Sequence, residues 1–377
     1  MRPSFIKIIL LINFLLSGLN KTYGAELFEY GQSIRALGMG NAYSAVVTNG
    51  DALFYNPAAL GRVQGINLTV LNMNGGVNGQ NALQSAQAIA NSSATGIDRF
   101  SDYFGQRIWL GMGGKVNLYM PYFGLSVYDS GFMGFELKDP ILPYFDMNYI
   151  NDYGLVIGGA FTIGPASYFG FTAKKITRMG TNEQIGVSNF LSGETSDIQS
   201  NLNRRGNGYG ADLGFIWELP VPLHPVISGV WKDVGSTTFL KEAGIEKPPK
   251  IAEEKILGVA AGFDLTVFAM TAALDYKHIE TSREPLGKKI HMGLEFDLPL
   301  IDIRGGFGQG YYSMGASLDF FLFQLDLAYY GVELGEYPGQ DEDRRIQLAM
   351  SMDLGFDPSF KFIDFNRVKG RKVKQRR

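Results

Sequence analysis

Large apolar side chains recur at every second position through most of the chain. In one run Tyr153, Leu155, Ile157, Phe161 and Ile163 alternate with Gly154, Val156, Gly158, Ala160 and Thr162. In another, Tyr209, Leu213, Phe215, Trp217 and Leu219 alternate with Gly208, Gly210, Asp212, Gly214 and Glu218. A period of two is the signature of β-strands with unlike faces. About fourteen strands are predicted, near 66–73, 113–128 (with 131–137), 152–163, 167–178, 207–219, 224–234, 254–265, 267–280, 288–298, 301–309, 312–320, 321–333 and 344–356. The even number comes from splitting the second run at Asp129–Ser130–Gly131. A soluble sandwich turns Lys and Glu to water and its large apolar groups inward. Here the polar face is mostly Gly, Ala, Ser, Thr and Asp, which suits a crowded lumen with lipid on the other side. Tyr153, Tyr209, Trp217, Tyr276 and Tyr329 fall near strand ends, where aromatic girdles sit.

The connections point the same way. Gly164–Ala166, Pro220–Pro222, Leu265–Thr266 and Pro299–Leu300 are tight, whereas Gly180–Gly206, Gly235–Glu253 and Leu334–Asp343 are long and polar. Short periplasmic turns alternating with longer external loops mark an outer-membrane barrel. Gly75–Gln106 reads as a first external loop, partly helical through Ala82, Ala86, Ile89 and Ala90. The predicted fold is all-β: a transmembrane antiparallel barrel of about fourteen strands with an N-terminal plug.

The N-terminal residues break the pattern. Arg2 and Lys7 precede an apolar run from Ile8 to Leu16, and small residues end at Gly24. This layout reads as a Sec-type signal peptide over 1–24, which is expected to route the chain to export and the cell outer membrane. Residues 25–65 do not alternate. Asn49–Gly50 is a helix stop, and Asp51 is placed to cap the next turn. Asn56–Pro57 sets a capping residue before a proline at the first helical position, with Gly61 as the stop. Short helical pieces of this kind can pack inside a barrel spanning 66–356.

Here the sequence resembles a family. Arg35-Ala36-Leu37-Gly38-Met39-Gly40-Asn41-Ala42-Tyr43, followed by Asn49-Gly50-Asp51-Ala52-Leu53-Phe54-Tyr55-Asn56-Pro57-Ala58-Ala59-Leu60, looks like the N-terminal hatch of FadL-type outer-membrane transporters and their PorV-like and TraF-like relatives. The resemblance implies a monomeric barrel closed by a hatch, with Arg35, Gly38, Gly40, Asn56, Pro57 and Ala58 as hatch and gating residues. It implies passive uptake of long-chain fatty acids or other hydrophobic small molecules through a lateral opening. A PorV-like relative would instead bind protein partners in secretion or envelope assembly. A cation-preferring porin is the third reading.

Composition sharpens this picture. The chain has no cysteine, so disulfides, zinc-thiolate sites and cysteine nucleophiles are excluded. Its 48 glycines and 13% aromatics accompany only 19% charged residues, as expected where half of each strand meets lipid. The tail 357–377 carries eight basic residues against Asp357 and Asp364. It reads as a solvated basic end, with a periplasmic anionic partner as its functional reading and no nucleic acid to meet. Alternation places Asp212, Asp264, Asp275, Glu295, Asp297, Asp302, Asp319, Asp326 and Asp353 in the lumen, with Lys174, Lys277 and Arg304 as the cations. Arg35 is expected to anchor the hatch to one or two of these carboxylates.

No hydrolase, metalloprotease, P-loop or dinucleotide motif occurs, and no enzyme, metal or cofactor is expected. Gly305–Gly310 reads as a hairpin turn rather than a phosphate cradle. His278 shares parity with Leu274 and Tyr276 and is expected to face out. His291 shares parity with Glu295 and is expected to face in.

Overall fold

In β9 (Glu254–Asp264) the alternation becomes a wall with two chemistries. Ile256 and Ala260 are buried, while Leu257 and Val259 are 57% and 48% exposed. The same holds around the sheet: Val127, Ile157, Phe171, Ile227, Met292, Ile303, Met314 and Leu327 all lie on the outer surface. That apolar belt is a surface only lipid accepts at low cost. Among the described residues no helix is long and apolar enough to cross a membrane, so crossing falls to strands.

The computed structural model describes residues 31–79, 104–139, 144–186, 204–244, 246–265, 268–282, 284–320, 322–356 and 362–363. The expected signal peptide 1–24, the helix within 80–103 and nearly all of the basic tail lie outside these residues. The strands are β1 (Ile66–Asn78), β2 (Arg107–Met120), β3 (Phe123–Lys138), β4 (Tyr144–Gly164), β5 (Ser167–Gly186), β6 (Arg205–Glu218) and β7 (Val226–Lys232). They continue with β8 (Phe239–Ala243), β9, β10 (Ala269–Tyr276), β11 (Ile290–Asp297), β12 (Ile301–Gly308), β13 (Tyr311–Phe320), β14 (Phe323–Glu333), β15 (Glu342–Phe356) and β16 (Phe362–Ile363). Each strand pairs antiparallel with its neighbour, and β1 closes the ring on β15, from Ile66 opposite Phe356 to Asn78 opposite Arg345. Setting aside β8 and β16, which only flank the ring, the closed barrel has fourteen strands.

Several local expectations are corrected. Asp129–Ser130–Gly131 is no turn: it lies inside β3, opposite Gly114–Met112 and Tyr153–Asn151. The hairpin falls at Pro121–Tyr122, where proline has no N–H for the ladder and Tyr122 takes φ 66°. β4 and β5 run for 21 and 20 residues, about twice a membrane crossing, so they project beyond the belt. The Gly235–Glu253 loop folds part of itself, β8, back onto β6. β1 continues to Asn78, shortening the first loop. Gly305–Gly308 belongs to β12, and only Gln309–Gly310 makes the turn, at φ 54° and 94°.

β1 carries one further feature. Its register with β2 and β15 shifts at Val70, a one-residue bulge. The bulge reverses parity, so Asn67 and Thr69 below it and Asn72, Asn74 and Asn78 above it all face the lumen. A straight strand with Asn67 and Thr69 inward would turn Asn72, Asn74 and Asn78 to lipid.

Candidate functional site

The lumen is occupied by the N-terminal segment 31–65. It folds as α1 (Ile34–Gly38), α2 (Ala52–Tyr55) and a 3-10 helix (Pro57–Arg62). Nearly every residue from Ala36 to Leu60 is buried. α1 sets Ile34 and Leu37 against Ala328, Tyr330 and Val332 of β14 and Ala349 of β15. Leu53 and Leu60 pack on Gly124 and Gly158 of β3 and β4.

Glycines of the wall admit this segment. Gly38 meets Gly315 of β13, and Gly40, at φ 63°, lies against Gly306 and Gly308 of β12. Pro57 and Ala58 meet Gly170 of β5, while the Asn56 side chain and Pro57 meet Gly214 of β6. At Gly38, Gly40 and Gly170 backbone rests on backbone, and at Gly214 the Asn56 amide fills the space, leaving no room for a further side chain.

Polar anchors fix its position. Arg35 donates from Nε to Glu295 Oε2 at 2.7 Å and from Nη2 to Glu295 Oε1. Arg304 shares that carboxylate through Nε at 2.6 Å, and its other nitrogens reach Ser317 (2.5 Å) and Asp302 (3.2 Å). Arg35 Nη1 also lies 3.3 Å from the Tyr43 hydroxyl. Asp275, fully buried, accepts from the Tyr43 and Ser44 amides at 2.9 Å each and from the Ser44 hydroxyl at 2.7 Å. Asp51 is no side-chain cap; it takes the Lys115 ammonium of β2 at 2.5 Å. Burial pushes its carboxyl up, but Lys115 with Ser33 and Asn49 outweighs this, and the net shift is downward.

Asn56 joins segment and wall. Its Oδ1 accepts from Ala58 N at 3.1 Å, while Nδ2 donates to the carbonyls of Ser44 (3.0 Å) and Phe215 (3.3 Å). Asn56→Ala removes the cap and leaves two buried carbonyls short of a donor. A loss of about 2 kcal/mol is expected in detergent melting curves. Asn56→Asp keeps the cap but loses both donations, so it should also melt early; wild-type melting for both variants would remove the anchor role.

The remaining wall charges are largely paired across strands. Asp212 binds Lys174 (2.6 Å), Thr172 (2.8 Å) and the Asp233 amide (2.8 Å). Asp326 contacts Ser317 and lies 3.5 Å from Arg304. Asp264 is half-buried opposite Ala269, and Asp319 is nearly buried opposite Gln324. His291 faces in, its Nδ1 2.7 Å from the Gly40 carbonyl. His278 does not face out as alternation predicts. Its φ of 52° takes it out of β10, and its ring sits 3.6 Å and 3.7 Å from Glu254 and Glu280.

On the β1–β2–β15 side the segment leaves a cavity of about 230 Å³. Asn67, Thr69, Asn72, Asn117, Ser351 and Asp353 are among its lining, with Asp297 and Asp302. Thr69 Oγ1 donates to Asp353 at 2.5 Å. Neither Lys115 nor the asparagines of β1 were identified from sequence. Their signal was the polar parity of β2 and the bulged parity of β1. Among the described residues no group of three or more His, Asp or Glu is arranged to hold a metal.

No family profile matches the chain, and no curated protein does. Solved structures match its fold. The CymD monoaromatic hydrocarbon channel is similar at 12% identity and a TM-score of 0.51, over 85% of this chain and 97% of CymD. A TodX monoaromatic hydrocarbon channel, the deltaS2S3 mutant, is similar at 12% identity and a TM-score of 0.53, over 86% and 99%. At this identity the likeness is one of fold.

Proposed function

We propose that this chain is an outer-membrane channel of FadL type for the passive uptake of hydrophobic small molecules, long-chain fatty acids or hydrocarbons. The observation that carries the reading is a lipid-belted barrel, shared in fold with CymD and TodX, whose lumen is filled by its own N-terminal segment. An open porin has no need of such a filling, and a solute can pass only where the segment yields or leaves room. The tight turns, Gln309–Gly310 excepted, then face the periplasm and the long loops face outward. Residues 31–65 act as the hatch: Gly38, Gly40, Pro57 and Ala58 give it close-fitting backbone contacts, and Arg35 and Asn56 give it polar anchors. Cargo is captured by apolar burial, with no cofactor and no covalent step. The protein works as a monomer in lipid, and the basic tail meets an anionic periplasmic partner.

The test is equilibrium binding of radiolabelled oleate and of toluene to the purified protein in detergent. Saturable binding of either supports the reading, and competition between them separates fatty acid from hydrocarbon. Binding of neither, with no lipid co-purifying, moves the assignment to a PorV-like partner-binding barrel.

A further inference from the structure

The cavity beside the segment is the wrong chemistry for apolar cargo. Its β1 face presents Asn67, Thr69 and Asn72, and its β15 face presents Ser351 and Asp353. A hydrocarbon placed there would strip water from amides and carboxylates at several kcal/mol for each group left unpaired, by order of magnitude. Water fills such a space instead. Asp353 faces inward yet is exposed, so the cavity opens to solvent at the tight-turn end of the barrel.

At its other end the cavity reaches Gln32. Two further cavities of about 40 Å³ each are also lined by Gln32. One of them runs up past His291 and Gln309 to the β12–β13 turn. Gln32 therefore borders the lower space and both upper spaces and stands between them. Charge along the lower space is unequal. Asp51, Asp297, Asp302, Asp326 and Asp353 line it, against Arg35, Arg62, Lys115 and Arg304, and each of these cations already meets a carboxylate: Lys115 on Asp51, Arg62 on Glu218, Arg35 on Glu295, and Arg304 on Glu295, Asp302 and Asp326.

We propose that small hydrophilic ions, cations in preference to anions, pass along the β1–β15 face beside the seated segment, with Gln32 as the constriction. The bulge at Val70 serves this path by keeping the amides of β1 on the lumen side throughout. This activity does not depend on apolar uptake and needs no displacement of the segment.

Single-channel recording of the purified protein in planar bilayers, under a potassium chloride gradient, tests the proposal. Small steps are expected, with a reversal potential displaced toward potassium. Gln32→Ala should raise the step conductance about two-fold or more, Gln32→Trp should lower it, and Asp353→Asn should move the reversal potential toward zero. A silent wild type overturns the proposal, even where Gln32→Ala conducts. Equal conductance in Gln32→Ala and Gln32→Trp overturns it too. Unchanged migration of the unheated, folded protein on gels shows that each variant is folded. Oleate binding, measured on the same preparations, reports on hydrophobic uptake separately.

Discussion

Glu295→Ala is expected to destabilise the folded barrel by about 3–5 kcal/mol, the cost of removing one partner from a buried ionic group. Glu295 is fully buried and takes two guanidinium groups, one from the N-terminal segment and one from β12. Without it the two cations face each other with no carboxylate between them. Arg304 keeps Ser317 and Asp302, but Arg35 keeps little beyond the Tyr43 hydroxyl at 3.3 Å. Arg35→Ala should cost less, because Glu295 then retains Arg304. The order expected in melting experiments is Glu295→Ala well below Arg35→Ala, with wild type highest. The double variant should melt no earlier than Glu295→Ala alone, since the stranded cation is gone. Trypsin should cut after Arg35 or Arg62 faster in Glu295→Ala, because the segment is held less firmly. Melting within about 0.5 kcal/mol of wild type would show that the shared carboxylate is no anchor.

Much of the barrel was legible in the chain because lipid and lumen demand opposite chemistry at successive residues. In β9 the contrast between Leu257 and Gly258 is enough to assign both faces. Legibility failed where a local signal and the long-range pairing disagreed. Asp129–Ser130–Gly131 has the composition of a turn, yet β2 and β4 pair along it, so it stays extended. The real turn relies on Tyr122 in a left-handed conformation, which composition does not advertise; its amide is held by the Leu60 carbonyl of the segment. The bulge at Val70 hid the asparagines of β1, because parity counting assumes an unbroken strand. For the lumen, the sequence offered residue types and their faces but not their partners. That Lys115 meets Asp51, or that Asp275 meets two backbone amides, depends on where the segment comes to rest.

The wall glycines provide the sharpest test of that resting place, because Gly305 and Gly306 are neighbours with opposite surroundings. A Cβ on Gly305 would have no heavy atom within 4 Å. A Cβ on Gly306 would lie 2.2 Å from Gly40 N and 2.3 Å from Met39 C. Those are backbone atoms, and Gly40 is itself wedged against the Met292 and Phe307 backbones, so nothing flexible can give way. Gly306→Ala must therefore push the segment off β12 or bend the strand, at about 1–3 kcal/mol for overpacking and more for Gly306→Val. Gly305→Ala should stay within about 0.5 kcal/mol of wild type. Because Arg35 and His291 bind close by, lifting Gly40 also lengthens the Arg35–Glu295 and His291–Gly40 contacts, and trypsin cleavage after Arg35 should accelerate. Combining Gly306→Ala with Gly214→Ala loosens both ends, since a Cβ on Gly214 would fall 2.2 Å from Asn56 Oδ1. Their separate losses should add, the two sites sharing no contact. If Gly306→Ala and Gly305→Ala melt alike and resist trypsin alike, the segment does not rest on β12, and the hatch reading built on that contact falls with it.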